Sequence, residues 1–321
     1  MITNWDELEG SRRERGHIAA TWTRLSGPNS VTVGVNRVRI DPGMWSTPLH
    51  LEGSEEEIFY VLSGSGRSVQ SEGGRLESYD VGPGDCLVHL ALEHAHTLQA
   101  GPDGLDVLVF GERHYAANTL LPNAGVSWLG PTWVLAGAED DHPWTREAAA
   151  GPPQVEEISP RPNRIVNVAD VDAFTTERGE VSCEWRDLGR AAGSERTGIK
   201  HATVAPGRLS TPPHCHSADE ELFVVLDGSG TIELFPSARG SQGYTTAPES
   251  HPVGAGSTVA RPAATRVAHA FRAGSEGLTL LAYGTRDSND IAYYPRSNKL
   301  YLRGVGVLAR VEPLDYWDGE D

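Results

Sequence analysis

Cysteine is scarce: the 321-residue chain carries only Cys86, Cys183 and Cys215. Three thiols cannot build a disulfide framework, so a reduced, cytoplasmic protein is expected. Lysine is scarcer still, with Lys200 and Lys299 the only two. Neither lies in a surrounding motif, which leaves Schiff-base chemistry unsupported. Positive charge is short overall, since 27 Lys and Arg face 44 Asp and Glu for a net charge of −17. That balance repels phosphate backbones and anionic lipid, so neither nucleic acid nor membrane is an expected partner. No apolar run approaches the roughly 18 residues of a membrane span. The opening Met1-Ile2-Thr3-Asn4-Trp5-Asp6-Glu7 lacks the basic and apolar regions of a signal peptide. Strong helical periodicity is also missing, and residues 145–151 make at most a turn or two. Glycine and proline, by contrast, are abundant at 36 and 21. That surplus suits short strands joined by turns.

The chain repeats itself. RIDPGMWSTPLHLEGSEEEIFYVLSGSG in the first half answers TVAPGRLSTPPHCHSADEELFVVLDGSG in the second. Pro42-Gly43 matches Pro206-Gly207 and Gly64 matches Gly228, both at an offset of 164. Ala95–Gly101 then matches Ala268–Gly274 at an offset of 173, which persists through Arg113/Arg286 and Pro122/Pro295. The nine extra residues fall between Gly228 and His269, where an enlarged hairpin loop is expected. Between the copies, Gly151-Pro152-Pro153 and Ser159-Pro160-Arg161-Pro162 read as a semi-rigid linker. The expected organisation is one domain over 1–150, a linker over 151–164 and a second domain over 165–321. Segments such as EIFYVLSG, ELFVVLDG and LTLLAYG are β-branched or aromatic and bounded by turn residues. Each copy therefore reads as an all-β unit, a small antiparallel barrel or jelly roll.

In the second copy His214 and His216 share strand parity and point to one face, with Cys215 turned away. Glu221 opens the next strand, and His269 comes from a later one. Three imidazoles and a carboxylate converging in an apolar barrel suit Fe, Mn, Ni, Cu, Co or Zn better than Ca or Mg. In the first copy His50, Glu57 and His96 align with His214, Glu221 and His269, but Glu52 replaces His216. Two readings of that exchange stand: a harder site tilted toward Fe(II) or Mn(II), or an empty barrel with Glu52 paired to an arginine. His89 and His94 lie near His96, and the Ala-His-x3-Ala-Gly register selects His96. Trp22 and Trp185 repeat and are expected on the outer sheets. Of Glu55, Glu56 and Glu57, only Glu57 is assigned a role and the others are expected in solvent. The aromatic run from Tyr293 to Trp317 is expected to pack on a neighbouring domain.

The pattern PG-x6-H-x-H-x4-E-x6-G, carried by Pro206-Gly207, His214, His216, Glu221 and Gly228, resembles the first motif of the cupin superfamily. Gly256, Pro262 and His269 resemble the second, with a longer Pro-to-His spacing. The resemblance covers both halves and implies a bicupin: two tandem double-stranded β-helix, or jelly-roll, barrels with metal inside. It does not imply one activity. The leading expectation is a metal-dependent enzyme acting on a small oxygen-rich molecule, of dioxygenase type. The alternatives are a redox-neutral isomerase, lyase or decarboxylase, or a non-catalytic sugar or small-ligand binding cupin. Fe(II), Mn(II) or Ni(II) are preferred, with Zn(II) and Cu(II) admitted, and a homodimer is left open.

Overall fold

Strand Val181–Arg186 alternates buried and half-buried residues along its whole length. That period of two turns one face of a strand to a core and the other toward solvent. A computed structural model describes residues 2–27, 30–72, 75–114, 117–129, 132–133, 143–155, 157–236, 247–312 and 314–320. Among the described residues each half has an eight-stranded antiparallel sheet and a four-stranded one. In the first half the large sheet runs Ile165–Asn167, Asp85–His89, Glu57–Glu72, Ala95–Glu112, Val33–Ile40, Ile18–Arg24 and Ser11–Arg15, with Arg75–Val81 also paired to Glu57–Glu72. In the second it runs Ile2–Asn4, Ser257–Arg261, Glu221–Pro236, Val267–Thr285, Thr197–Val204, Val181–Arg186 and Phe174–Arg178, with Glu249–Gly254 also on Glu221–Pro236. The predicted all-β, two-barrel architecture is the observed one.

Long bent strands give each barrel its frame. Glu57–Glu72 pairs with Ala95–Glu112, and the register slips between Val61 and Ser63 and again between Gly64 and Gly66. Glu221–Pro236 pairs with Val267–Thr285 with the same two slips, at Val225/Asp227 and Gly228/Gly230. Such bulges bend a strand and increase its twist. Gly64 and Gly228 make the bend feasible, with φ of +87° and +80°. A Cβ there would lie 2.2 Å from the Gly104 carbonyl oxygen or 2.3 Å from that of Gly277. The repeated Gly-Ser-Gly is therefore a steric requirement of the bend. Inside the bends sit the cores: Val38, Phe59, Val61 and Val107 in one barrel, and Phe223, Val225, Phe271 and Leu280 in the other.

By packing, one compact unit takes Trp5–Asp172 and Asp187–Ile199; the other takes Met1–Asn4, Ala173–Arg186 and Lys200–Asp321. This differs from a single cut in chain order. Ile165–Asn167 is an edge strand on Asp85–His89, and Ile2–Asn4 is one on Ser257–Arg261. Such backbone pairings leave little trace in composition. The proline-rich segment also has partners in the first unit: Ser159 N donates to Ser78 O at 2.7 Å, and Arg161 grips Asp85 through both terminal nitrogens. Residues 145–151 begin inside the helix Pro143–Ala150, which opens on a proline that needs no helical partner. Residues 237–246, within the expected enlarged hairpin, lie outside the described residues.

Three expectations are corrected. Trp22 and Trp185 pack against the barrel cores and not on outer sheets, because their strand parity turns them inward. Glu56 is wholly buried, accepting from Ser194 Oγ, Glu195 N and the Thr197 amide and hydroxyl. Its donors lie some 140 residues ahead, beyond any local pattern. Tyr316 and Trp317 are exposed at 81% and 68%, while Tyr294 packs on His214.

Candidate metal centres

His214 and His269 exchange backbone hydrogen bonds across an isolated bridge, at 3.3 and 2.9 Å. Side chains of such a pair leave on one face. Glu221 opens its strand beside them, and its Oε2 lies 3.1 Å from His269 Nε2 and 3.5 Å from His216 Nε2. Ligand atoms of His214, His216 and Glu221 fall within 4.8 Å of one another. His269 lies outside that set and joins it through Glu221. The ring nitrogens are ordered by their outer partners. His214 Nδ1 meets the Pro212 carbonyl at 2.9 Å and His216 Nδ1 meets Asp290 Oδ2 at 2.7 Å. With Nδ1 donating outward, each Nε2 keeps its lone pair for the interior. Asp290 is itself fixed by the amides of Ser217, Ala218 and Asp219.

The first barrel repeats the frame. His50 and His96 exchange backbone hydrogen bonds at 3.1 and 2.8 Å. His50 Nδ1 meets the Pro48 carbonyl at 2.9 Å, and His96 Nε2 lies 3.0 Å from Glu57 Oε2. His50, Glu57 and His96 form a second set within 4.8 Å. Glu52 lies outside it, with Oε1 3.6 Å from His50 Nε2 and Oε2 receiving the Thr119 hydroxyl at 3.0 Å. Among the described residues no arginine pairs with Glu52, so the arginine reading of the empty-barrel alternative loses its partner. His94 turns away to His89, Nε2 to Nδ1 at 3.0 Å, while His89 stacks flat on His96 at 3.8 Å.

The electrostatics of the two sites differ. Burial alone would raise Glu221, but the rings of His216 and His269 outweigh it and hold the carboxyl well below its usual range. Burial pushes His214 down to about 4, with His269 and His216 adding to the effect. His216 moves the other way: burial opposes, and Glu221 with Asp290 raises it. In the first barrel burial again opposes the lowering of Glu57, yet His50 and His96 bring it to about 2. Burial, then Glu57, raises Glu52 to about 8. His50 overcomes burial through Glu57 and Glu52 and rises to about 9.

These donors fit a divalent metal. His216 Nε2 and Glu221 Oε2 are buried and face each other; the nitrogen has no hydrogen-bond partner among the described residues, and the oxygen has only the ion-pair contact of His269 beside it. Unpaired buried polar atoms are rare and call for an explanation. A cation between two imidazoles and a carboxylate satisfies them, with nitrogen and oxygen donors suited to transition metals.

The family model described as auxin binding protein matches residues 189–295. No curated protein matches the chain by sequence. Among solved structures, Bacillus subtilis oxalate decarboxylase at pH 4.6 is 19% identical with a TM-score of 0.61, covering 89% of this chain and 76% of its own. A B. subtilis oxalate decarboxylase structure described for its Mn(II) centres is 18% identical, TM-score 0.60, over 90% and 78%. The Lactobacillus farciminis oxalate decarboxylase formate complex is 16% identical, TM-score 0.60, over 89% and 86%. These likenesses show the fold, two tandem cupin barrels.

Several neighbours of the candidate sites escape sequence reasoning. Asp290 lies within the string TRDSNDIAYYPRSNK, yet nothing local ties it to His216, 74 positions away. Arg261 lies opposite Glu221 in strand register and lines the recess shared by His216, Glu221 and His269. Arg113, repeated as Arg286, braces a turn by donating to the Ser30 carbonyl and Ser26 Oγ. No helix among the described residues is long and apolar enough to cross a membrane.

Proposed function

We propose that this bicupin is a metal-dependent enzyme that removes CO2 from a small carboxylate substrate, working at His214, His216, Glu221 and His269. One observation carries the reading: the buried His216 Nε2 has no hydrogen-bond partner among the described residues and faces Glu221 Oε2, with His269 Nε2 3.1 Å from the same oxygen. Its counterpart, His50, Glu52, Glu57 and His96, forms an auxiliary centre. Mn(II) is assigned ahead of Fe(II) and Ni(II), because each set carries a hard carboxylate and a fold relative is described for Mn(II) centres. Sequence alone put dioxygenase chemistry ahead of lyases and decarboxylases. The fold likeness supports the decarboxylase alternative instead, since the reported fold relatives are decarboxylases.

A bound divalent metal supplies Lewis-acid polarisation of a chelating carboxylate oxygen. The chain's own residues hold and shape the site. Asp290 and the Pro212 carbonyl fix the His216 and His214 rings, and Tyr294 stacks on His214 at 5.4 Å. Tyr294 is raised above its usual range by burial and Glu221, so it keeps its proton at neutral pH. Incubation of the metal-loaded protein with oxalate under air tests the class. Decarboxylation converts oxalate and one proton to formate and CO2 without oxygen uptake. Oxidation would consume O2 and yield two CO2 and hydrogen peroxide, and that outcome would restore the oxidoreductase reading. Tight binding with no product would favour a binding protein.

A further inference from the structure

Opposite the metal-facing glutamate, the two barrels hold different residues. Glu221 pairs in register with Arg261, whereas Glu57 pairs with His89. Residues directly opposite in an antiparallel pair share a face, so Arg261 leaves its strand on the same side as Glu221. The recess confirms that placement, being lined by Arg261 together with His216, Glu221 and His269. In the first barrel the matching place is taken by the imidazole of His89. Stacked on His96 at 3.8 Å and held to His94 Nε2 at 3.0 Å, it fills the position with a ring in place of a guanidinium fork.

Arg261 is incompletely used. Its Nη2 donates to the Val267 carbonyl at 2.7 Å and approaches Thr265 Oγ1 at 3.5 Å. Its Nε is buried without a hydrogen-bond partner among the described residues. A guanidinium has five N–H groups in a planar fork that matches a carboxylate. The segment it braces is held in an unusual conformation, with Ala264 and Arg266 at φ of +58° and +59°. Ala264 N also donates to the His216 carbonyl at 2.9 Å, tying the segment to the site. Non-glycine residues in that region persist only where their surroundings hold them.

The geometry points to Arg261 as the anchor for the carboxylate of an anionic substrate at the second barrel, a role the first barrel cannot fill because His89 stands in its place. This rests on the metal-centre reading. It adds that the barrels differ in ligand charge, and that the second selects dianionic over monoanionic chelators. One carboxylate oxygen set faces the metal position, and the remaining negative charge meets the unpaired edge of Arg261.

The test titrates oxalate, then oxamate, into Mn(II)-loaded wild type, Arg261→Gln and Arg261→Lys, by calorimetry and Mn(II) paramagnetic resonance. Metal content is measured on every sample, and Glu221→Gln locates the event at the second barrel by abolishing it. Arg261→Gln should keep its second metal and weaken oxalate binding by about 30-fold, the scale of a charged hydrogen bond. The preference for oxalate over oxamate should fall with it, and Arg261→Lys should recover part of both. A metal-loaded Arg261→Gln that binds oxalate like wild type, or keeps its preference, overturns this assignment alone. Loss of the second metal in Arg261→Gln also overturns it, making the residue a brace of the 262–266 segment. A wild type that takes up no metal overturns the underlying metal-centre reading.

Discussion

His216 Nδ1 lies 2.7 Å from Asp290 Oδ2, and this contact turns the opposite nitrogen of the ring toward Glu221. The arrangement is that of a metal ligand oriented by an outer carboxylate, which fixes the tautomer and raises the basicity of the donor. Asp290→Asn should therefore lower metal affinity at the second barrel by about 10- to 100-fold. The first barrel should be untouched. Competition with a chromophoric chelator reads the two affinities separately.

Metal binding at the two centres should release different numbers of protons. At pH 7 the metal-free first site holds protons on His50, at about 9, and Glu52, at about 8. Metal must displace at least the His50 proton, so affinity there falls as pH drops below that value. At the second site His214, at about 4, and the lowered His269 are already neutral, so metal displaces fewer protons there. Calorimetry in buffers of different ionisation enthalpy counts those protons. The first centre should show the steeper pH dependence between 9 and 7.

Acid should destabilise the metal-free protein in a defined window. His96 and His214 are each lowered to about 4, so the unfolded chain binds protons that the folded one refuses. Their contribution is present above the unfolded value of about 6.5 and is lost as pH falls toward 4. His50 acts oppositely, since its raised pKa gives a contribution present below about 6.5 and lost as pH rises through 9. Melting temperature of the metal-free protein should fall between pH 6.5 and 4, and His96→Gln should flatten part of that slope.

Neighbouring glutamates separate structure from chemistry. Glu56 takes hydrogen bonds from Ser194, Glu195 and Thr197, while Glu57 faces His50 and His96. Glu56→Ala leaves buried donors unpaired and should cost about 2–3 kcal/mol, read as a shift in denaturant midpoint. Its metal content should be normal. Glu57→Gln should lose the first metal, and its metal-free midpoint should fall only through the lost contacts to His50 and His96, with the Glu56 donors untouched.

Gly64→Ala and Gly228→Ala should each cost at least about 2 kcal/mol, from the left-handed backbone and the clash with the facing carbonyl. Equilibrium unfolding measures both. A smaller cost would show that the bend relaxes without its glycine.

Much of the architecture was legible because duplication writes the same constraints twice. The paired Gly64 and Gly228 mark one bend, and His50/His96 with His214/His269 mark one pair of bridges. What stayed hidden depends on register and long-range contact. Nothing local connects Asp290 with His216, Glu56 with Thr197, or Arg261 with Glu221. The exchange of Glu52 for His216 falls within the ligand motif, whereas that of His89 for Arg261 gains its meaning only from their pairing with Glu57 and Glu221. Both residues end their strands, and the stretches from there to His96 and His269 differ by one residue.

Metal content tests the central claim most directly. Protein purified without chelators, together with Glu57→Gln and Glu221→Gln, is analysed for transition metals by mass spectrometry. The account predicts one metal per barrel in the wild type, Mn(II) foremost, with each substitution removing the metal of its own barrel only. Less than about a tenth of an equivalent in the wild type, after growth with Mn(II), Fe(II) or Ni(II) supplied, would contradict it.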